Sequence, residues 1–455
     1  MAEEIFSVSC IDADGSARGS ACGSACAAIC GPADAKKQAR LRLALPGERL
    51  RAVAAGDFLL PKEIIAAHPG RMVPPCRFFG RCGGCDLQQA NYPLQLALKR
   101  QSLAQLMAAS PSAVLRAAAE QIPAVLPSPR RFAYRQRLRL VKAGRGALGF
   151  RGFHSHEAVA IDRCLLARPE INEVFSALVG SKDFLALLAV TEEVEFLLDP
   201  DRRQVDLLIR LVRPSRPANR HGARRLLDDI RQIGRIFFYG EKFLREPPIC
   251  RDGCGENPRG DESLSLTYPA SPALPWGATL RWPVGGFSQV NIEQNRALLE
   301  FVLSRSAVNG NDAVLELFCG AGNFSIPLAR RVKSLLGVEG QGAAIRQARE
   351  NARLAGLGNC RFERADVHDF CRKLAGDGER FSFILLDPPR AGIPGLAKTL
   401  SRLCGRRLVL ISCAPQALVR DLAALCQEGF SFRFLQPFDM FPQTHHLETV
   451  ALLEK

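Results

Sequence analysis

The sequence predicts an α/β protein whose C-terminal part is a doubly wound, Rossmann-like parallel sheet, preceded by β-rich regions. Two observations predict this class. From residue 286 to residue 455, short apolar runs such as "AVLELF" alternate with runs of good helix formers such as "GAAIRQARENARLA". Before residue 286, the apolar runs are separated by turn residues, which is typical of antiparallel β-structure.

Length and composition limit the number of domains and the kind of partner that the chain can have. A chain of 455 residues is too long for one compact core and predicts two or three domains. Lys and Arg number 61 against 46 Asp and Glu, a formal net charge of +15, which favours a polyanionic partner. Charge alone does not choose between a nucleic acid and a membrane surface.

The N-terminus "MAEEIFSVSC" has no basic start followed by an apolar segment, and no apolar run is long enough to span a membrane. We therefore expect a cytoplasmic protein with no membrane association. In that reducing compartment the 16 cysteines are not expected to form a disulfide framework.

Residues 1–70 contain short apolar runs that predict a small β-barrel. A stretch of small residues interrupts them and carries Cys22, Cys26 and Cys30 at four-residue spacing, one face of a helix if a helix forms. We interpret this stretch as a loop or insert rather than a metal site, because its flanks lack further ligands.

Residues 71–285 form the predicted central domain. Residues 92–120 predict one or two helices that could pack on the C-terminal domain, and β-rich sequence follows. Within it, "VEFLLDPDRRQVDLLIRLV" predicts a hairpin turning at Asp-Pro-Asp. The stretch 250–263 predicts an exposed loop, and its Cys250 and Cys254 are not expected to be ligands.

Three cysteines stand close together in "CRFFGRCGGC": Cys76, Cys82 and Cys85. Glycines around them allow the loop to turn its thiolates inward. A triplet leaves one coordination position open, and Cys164 in "AIDRC" is the natural fourth ligand. Four thiolates suit either zinc or an iron–sulfur cluster, and the spacing alone does not choose.

A basic segment separates the triplet from Cys164. Residues 130–153 carry eight Lys or Arg, four aromatic residues and no acid. Arg135, Arg137 and Arg139 alternate, so on a strand they would share one face. An ordinary solvated sheet face is one interpretation, and a surface for single-stranded RNA is the other.

The C-terminal domain, residues 286–455, contains a predicted cofactor pocket. Gly320 and Gly322 follow the strand "AVLELF" and would let a ligand approach the backbone, although such a turn can be purely structural. Glu339, Asp366 and Asp387 end the later strands, where ligands of such sheets bind. Dinucleotides and S-adenosylmethionine both fit this pattern, but "DPPR" is unlike a dehydrogenase.

Cys413 in "ISCAP" ends the next strand at the same edge. An isolated strand cysteine is commonly inert core. Its position, beside Asp387 and before a helix N-terminus that would favour the thiolate, instead predicts a nucleophile. His445, His446 and Glu448 are candidate bases before the last strand, and each could also be an ordinary solvated residue.

These motifs together resemble the RNA uracil-5 methyltransferases, and the cysteine pattern resembles the iron–sulfur branch that acts on 23S rRNA. The resemblance covers residues 70–455. It is carried by "GGFSQVN", "LELFCGAGNFSIPLA", "GVE", "LLDPPRAG", "ISCAPQALVRD", "DMFPQTHHLETV", "CRFFGRCGGC" and "AIDRC". More weakly, residues 1–70 resemble the RNA-binding TRAM barrel that precedes many members, a barrel of the OB-like type.

The resemblance implies a class I S-adenosylmethionine-dependent methyltransferase domain and a chemistry. Carbon 5 of uracil is a poor nucleophile until a thiolate adds to carbon 6, and a base must later remove the carbon 5 proton. It implies Cys413 as the nucleophile and Glu448 as the base. The residues implied around the cofactor and target base are Gln289, Phe318, Asn323, Glu339, Asp366 and Asp387.

The resemblance also implies that Cys76, Cys82, Cys85 and Cys164 hold a 4Fe-4S cluster. The expected product is 5-methyluridine in 23S rRNA, made by a monomer. The same chemistry on tRNA or on cytosine, and a non-catalytic iron–sulfur RNA-binding protein, are the alternatives. Ala414 and Gln443 depart from the family, which usually has Asn and His at these positions.

Overall fold

The computed structural model describes residues 4–22, 39–55, 57–144, 146–153, 155–251 and 262–455. Within them the chain forms a closed five-stranded barrel, a seven-stranded sheet, a two-stranded hairpin and a second seven-stranded sheet. The predicted α/β class is confirmed. Cys26, Cys30 and Cys254, and the side chain of Cys22, lie outside the described residues.

The N-terminal strands close into the predicted barrel, in the order β1-β2-β3-β5-β4. Alternation explains it, because Leu50 and Ala52 point inward while their neighbours face solvent. Phe6, Val8 and Leu41 complete the small core. The strands are β1 (Glu4–Ile11), β2 (Ala17–Cys22), β3 (Ala39–Leu41), β4 (Arg49–Ala55) and β5 (Phe58–Ala66).

Two helices, α1 (Tyr92–Ala108) and α2 (Ala113–Ala118), follow the barrel. Asn91 caps α1, since its side-chain oxygen accepts the Leu94 N–H at 3.0 Å. Leu103 and Met107 of α1 lie in the same apolar core as the C-terminal sheet. Helix α1 therefore packs against the C-terminal part of the chain.

The central sheet has the order β12-β11-β10-β9-β6-β7-β8. Strands β9 and β10 pair antiparallel, as the hairpin prediction requires. The elements are β6 (Arg137–Lys142), β7 (Leu148–Arg151), β8 (Ala158–Ala160), α3 (Pro169–Val179), α4 (Lys182–Leu188), β9 (Thr191–Asp199), β10 (Gln204–Leu211), α5 (Pro217–Asp229), β11 (Ile233–Tyr239) and β12 (Ile249–Cys250).

The hairpin of β13 (Ser263–Tyr268) and β14 (Ala278–Pro283) follows. Its apolar side chains share a core with the C-terminal sheet. Asn351 fastens it there, donating to the Arg281 carbonyl at 2.8 Å and accepting the Arg281 N–H at 3.1 Å. The hairpin thus packs with the C-terminal domain, while the domain boundary at residue 286 stays a prediction.

The C-terminal sheet has the order β17-β16-β15-β18-β19-β21-β20. Its first five strands are parallel, and β21 pairs antiparallel with β19 and β20. The elements are α6 (Ile292–Arg305), β15 (Ala313–Leu317), α7 (Ser325–Ala329), β16 (Ser334–Glu339), α8 (Gly342–Leu354), β17 (Cys360–Arg364), α9 (Val367–Gly376), β18 (Phe381–Leu386), α10 (Ala397–Leu403), β19 (Cys404–Ser412), α11 (Pro415–Gln427), β20 (Ser431–Phe438) and β21 (Glu448–Glu454).

The chain order reverses between β15 and β18, because β16 and β17 lie on one side of β15 and β18 lies on the other. Such a switch point leaves a crevice outside the carboxyl ends of the strands, which is where ligands bind. Among the described residues, no helix is long and apolar enough to cross a membrane.

Candidate active site

A cleft of about 1360 Å³ opens at the switch point, against the carboxyl ends of the parallel strands. Six of the eight predicted catalytic and cofactor residues line it. They are Gln289, Phe318, Glu339, Asp387, Cys413 and Glu448. Residues as far apart in the chain as Gln289 and Glu448 therefore face one space.

The loop after β15 forms the floor of the cleft. Phe318 has a φ of 61°, a left-handed conformation that is uncommon for a residue with a side chain. Gly320 and Gly322 also have positive φ, at 55° and 92°. The sharp turn exposes the backbone of Gly320 and Ala321 to the cleft.

Glu339 at the end of β16 forms one wall. Its carboxylate accepts the Gln341 N–H at 2.8 Å and the Gly320 N–H at 3.3 Å. These bonds fix the side chain over the loop and leave carboxylate lone pairs for a ligand. The chemistry suits the hydroxyl groups of a ribose.

Asn323 and Asp366 lie elsewhere. Asn323 lines a smaller adjoining cavity and exchanges two amide hydrogen bonds with Asn295, at 2.9 and 3.1 Å. Asp366 is exposed and is not among the residues that line the cleft. It caps α9, accepting the Asp369 N–H at 3.0 Å.

The predicted nucleophile Cys413 and base Glu448 line the cleft together with Asp387. Burial chiefly, and then the charges of Glu448 and Asp387, raise the pKa of the Cys413 thiol to about 11, against a lowering effect of Arg390. Burial and the charge of Asp387 raise the pKa of Glu448. Burial also raises the pKa of Asp387.

Glu448 is only 2% exposed, and its Oε1 has no hydrogen-bond partner among the described residues. A buried carboxyl oxygen aimed into a cleft without a partner is suited to exchanging a proton with a ligand.

The expectation that a helix N-terminus holds Cys413 as a thiolate is wrong. Cys413 does precede α11, whose N-cap is Ala414, but burial and two nearby carboxyl groups outweigh the helix and raise the pKa of the thiol. Ala414 supplies no side-chain acceptor to the helix.

Sequence reasoning missed Glu316, in the middle of the parallel sheet. Burial raises its pKa to about 8, and its Oε2 accepts the Ser325 hydroxyl at 2.5 Å. It lines the smaller cavity. The signal was available, because a carboxylate inside the apolar run "AVLELF" has no structural reason to be there.

The loop between β20 and β21 contributes His446, which also lines the cleft. Burial first, then the charges of His445 and Arg390, lower the pKa of His446 to about 3, so its ring is neutral. His445 instead pairs with Asp86, whose carboxylate also accepts the His445 N–H at 2.8 Å.

Gln443, which departs from the family pattern, is buried and has a φ of 72°. Its side-chain oxygen accepts the Gln95 side-chain N–H at 2.9 Å, and its backbone N–H donates to the Gln95 side-chain oxygen at 3.0 Å. Its carbonyl accepts the N–H groups of Asp86 and Leu87, at 3.2 and 3.1 Å. Gln443 thus fastens the loop to the segment that follows Cys85.

The four predicted ligands Cys76, Cys82, Cys85 and Cys164 are not disulfide-bonded. Burial chiefly, and then the neighbouring thiols of Cys164 and Cys76, raise the pKa of Cys82 to about 11. Burial and Cys164 also raise the pKa of Cys85. Over the described residues, no group of three or more His, Cys, Asp or Glu is arranged to hold a single metal ion.

The position of Arg135 corrects the prediction that it shares a strand face with the next two arginines, and it puts the guanidinium group near the cysteine thiols. It does not share a face of β6 with Arg137 and Arg139, because it precedes the strand and is bridged to Ala167 and Asn291. Its charge acts on Cys85 and Cys164, and its buried Nε has no hydrogen-bond partner among the described residues. A buried cation with an unused donor beside four thiols fits an anionic group at this position.

The RNA-binding face of β6 stays a prediction, and its arginines lie beside acidic side chains. Arg137 donates to the buried Glu195 at 2.5 Å, and Arg139 pairs with Glu195 at 3.1 Å and with Glu193 at 3.5 Å. Neighbouring strand β9 brings these acids opposite the arginines. The two guanidinium groups are therefore engaged within the sheet.

With this geometry in hand, comparison with known proteins identifies the class. A profile of the tRNA (uracil-5-)-methyltransferase family matches residues 278–455. The 23S rRNA (uracil(1939)-C(5))-methyltransferase RlmD of Pseudomonas putida is 34% identical over 401 residues, covering 86% of this chain and 82% of the relative. The RlmD of Pseudomonas aeruginosa PAO1 is 32% identical over 423 residues, covering 90% and 88%.

The chain belongs to the RNA uracil-5 methyltransferase family. The fold agrees. The crystal structure of Pyrococcus abyssi tRNA (uracil-54, C5)-methyltransferase in complex with S-adenosyl-L-homocysteine superposes with a TM-score of 0.69, at 20% identity, covering 98% of this chain and 99% of that one.

S-adenosylmethionine, the methyl donor of this family, suits the cleft. Glu339 offers carboxylate oxygens for ribose hydroxyls, and the turn at Phe318, Gly320 and Ala321 exposes backbone for a close approach. When bound, this donor supplies an electrophilic methyl group. Cys413 and Glu448, the predicted nucleophile and base, line the same cleft.

Proposed function

We propose that the protein forms 5-methyluridine in 23S rRNA, with Cys413 as nucleophile and Glu448 as general base. The observation that carries the proposal is the convergence of Cys413, Asp387 and Glu448 in one cleft, where each carboxyl group acts on the pKa of the thiol. A non-catalytic RNA-binding protein would have no need of a buried, partnerless carboxyl beside a thiol.

The proposed reaction begins at the thiol. Cys413 Sγ gives its proton to solvent in the open cleft and forms a bond to carbon 6 of an unstacked uracil, which places electron density on carbon 5. Carbon 5 would then take the methyl group, and the electron pair of the broken carbon–sulfur bond would stay on the donor's sulfur. Glu448, ionised and held without a protein partner, takes the proton of carbon 5. The electron pair of that C–H bond reforms the double bond, and Cys413 leaves.

Gln289, Phe318, Glu339 and Asp387 are proposed to surround the donor and the target base, since all four line the cleft. Gln136 supports this wall, because its Nε2 donates to the Gln289 carbonyl at 2.6 Å. For Asn323 the support is weaker, as it lines only the adjoining cavity. Asp366 caps a helix and faces solvent, so we assign it no contact.

We further infer that Cys76, Cys82, Cys85 and Cys164 hold a 4Fe-4S cluster. The thiols are mutually close and face the buried Arg135, whose charge would offset the negative charge of a thiolate cluster. Such a cluster would be structural.

Substrate choice rests on the relatives, whose names specify uracil 1939 of 23S rRNA. An enzyme that modifies 23S rRNA meets its substrate where ribosomes are assembled, so we infer that the protein acts in the cytoplasm. We also propose that it acts as a monomer. tRNA is the second candidate, because the matching family profile carries that name.

The test is to map 5-methyluridine in 23S rRNA and tRNA from cells with and without the gene. Loss of a modified uridine from 23S rRNA alone, restored by the wild-type gene but not by a Cys413→Ala gene, is the expected result. Loss from tRNA alone would replace the proposed substrate, and unchanged RNA would contradict the proposal.

A further inference from the structure

Helix α5 and the turn before it carry a row of arginines beside the mouth of the cleft. We propose that this row is a second contact surface for RNA, which holds phosphates of the substrate next to the unstacked target nucleotide. The inference rests on the proposed function, because it concerns how the same RNA is bound.

The row consists of Arg216, Arg220 and Arg224. Their spacing of four residues places them along one line of the helix surface. Arg220 is the member in an ion pair, with Glu246 at 3.1 Å. Arg216 and Arg224 are exposed, and neither forms an ion pair with any residue that the structure describes. Two guanidinium groups of this row are therefore available to a ligand.

Helix stability does not explain these charges. Arg216 is the N-cap residue and no acid stands in the first turn, while Asp228 and Asp229 stand at the other end with no base in the last turn. Both placements oppose the helix dipole, which favours acids at the N-terminus and bases at the C-terminus. Like charges four residues apart also repel each other. A bound polyanion would offset both the unfavourable interaction of these arginines with the helix dipole and the repulsion between them.

The row is attached to the rim of the cleft. Ser215, the residue before the row, donates its N–H to Glu246 at 2.8 Å and its hydroxyl to the same carboxylate at 2.5 Å. Arg220 also donates to the Pro247 carbonyl at 3.3 Å. Glu246 and Pro247 both line the catalytic cleft. A strand whose uridine enters the cleft would therefore pass close to the row.

Two exposed apolar side chains stand at the same rim. Leu244 is 91% exposed and Phe287 is 68% exposed, and both line the cleft. Apolar and aromatic surface beside guanidinium groups is the combination that binds unstacked bases and the backbone of single-stranded RNA. The partner favoured by these observations is thus a single-stranded segment flanking the target uridine.

The test is a double variant, Arg216→Ala with Arg224→Ala, compared with Lys373→Ala with Lys398→Ala. The control pair removes the same two positive charges from exposed positions on α9 and α10. Binding of a uridine-containing 23S rRNA fragment is measured by fluorescence anisotropy over a range of salt concentrations. S-adenosylhomocysteine binding and thermal unfolding check that both variants are folded.

We expect the arginine variant to bind RNA about tenfold more weakly at about 0.1 M salt, and to lower the slope of log affinity against log salt by about 1.4. The lysine variant is expected to match the wild type. Equal RNA affinity and salt slope in the arginine variant and the lysine variant would overturn the inference.

This outcome is distinct from failure of the proposed function. If the wild-type enzyme transfers no methyl group to any uridine, the proposed function fails. If the wild type methylates the fragment and the arginine variant binds it normally, only the arginine surface is wrong. Selective binding of an acidic protein, with RNA affinity unchanged, would likewise overturn the RNA assignment.

Discussion

The thiol of Cys82 and the thiol of Cys413 lie in different regions of the molecule, and both have a raised pKa. Burial is the main cause in both, and it raises the pKa of each thiol to about 11. Their neighbours differ. Cys82 lies among other thiols and near the guanidinium of Arg135, whereas Cys413 lies between the carboxyl groups of Glu448 and Asp387.

The difference teaches that the groups around each thiol, and not its pKa, distinguish a metal ligand from a nucleophile. Several thiols around a buried cation can keep their charge permanently when they share it with metal, which is what a structural ligand needs. A thiol beside carboxyl groups ionises at a cost, and the thiolate that forms there is correspondingly basic and nucleophilic. Strong nucleophilicity is what addition to the carbon of a substrate requires.

The largest expected effect is on methyl transfer. Cys413→Ala removes the atom that adds to carbon 6, so the rate should fall by about 10⁴-fold or more. Cys426→Ala, on α11 of the same region and outside the residues lining the cleft, is the matched control and should keep its activity. Labelled methyl groups in RNA are counted. Methyl transfer that persists in Cys413→Ala would contradict the nucleophile role of Cys413, and with it the functional distinction between this thiol and the thiols around Cys82.

The next effect concerns the central region. Cys82→Ser should abolish iron and sulfide binding and lower the free energy of unfolding by more than about 4 kcal/mol, because the loss of a structural metal centre ranks among the severe mutations. Cys360→Ser, a half-buried thiol of β17, is the control. Metal analysis and denaturant unfolding report the result. A stable, metal-free variant with full RNA binding would contradict the structural role.

Burial also raises the pKa of Glu316, and here the effect can be tested through the pH dependence of the free energy of unfolding. Its pKa is about 8 in the folded protein against an ordinary 4.5, so the folded state holds the proton more tightly. The stability contributed below about pH 4.5 is lost as the pH rises through about 8. Glu316→Gln avoids this loss and should be more stable than the wild type by up to about 4 kcal/mol near pH 9. Urea unfolding at acidic and alkaline pH measures the difference. A gain that is the same at both pH values would refute the assigned cause.

The smallest effect is on pH dependence. Glu448 must be ionised to act as a base, and its raised pKa means that methyl transfer should speed up as the pH rises. Asp387→Asn removes a negative charge that raises the pKa of both Glu448 and Cys413. The rate profile should then shift to lower pH by about one unit. It is measured under saturating methyl donor, and an unmoved profile would show that Asp387 does not act on the base.

Local sequence patterns were sufficient for some elements. The β9–β10 hairpin followed from two apolar runs and a turn signal, and the parallel sheet followed from alternating strands and helices. The positions of Asp387 and Cys413 at strand ends likewise placed them at one edge.

Features that depend on distant partners could not be predicted. Arg137 and Arg139 alternate as expected, but Glu195, opposite them on another strand, neutralises them. The Asp366 cap is a different case, because its partner, the Asp369 N–H, lies only three residues away and an Asp directly before a helical run is a local N-cap signal. Gln443 could be understood only with Gln95, which stands 348 positions away.

The central claim is that Cys413 bonds to the target uracil and that Glu448 releases it. In a Glu448→Gln variant the carbon 5 proton stays in place, so the enzyme should accumulate bound to methylated RNA through a bond that survives denaturation. Digestion and mass spectrometry would locate that bond. A nucleotide attached to the peptide containing Cys413 is the predicted result, and attachment at another cysteine, or no attachment, would contradict the account.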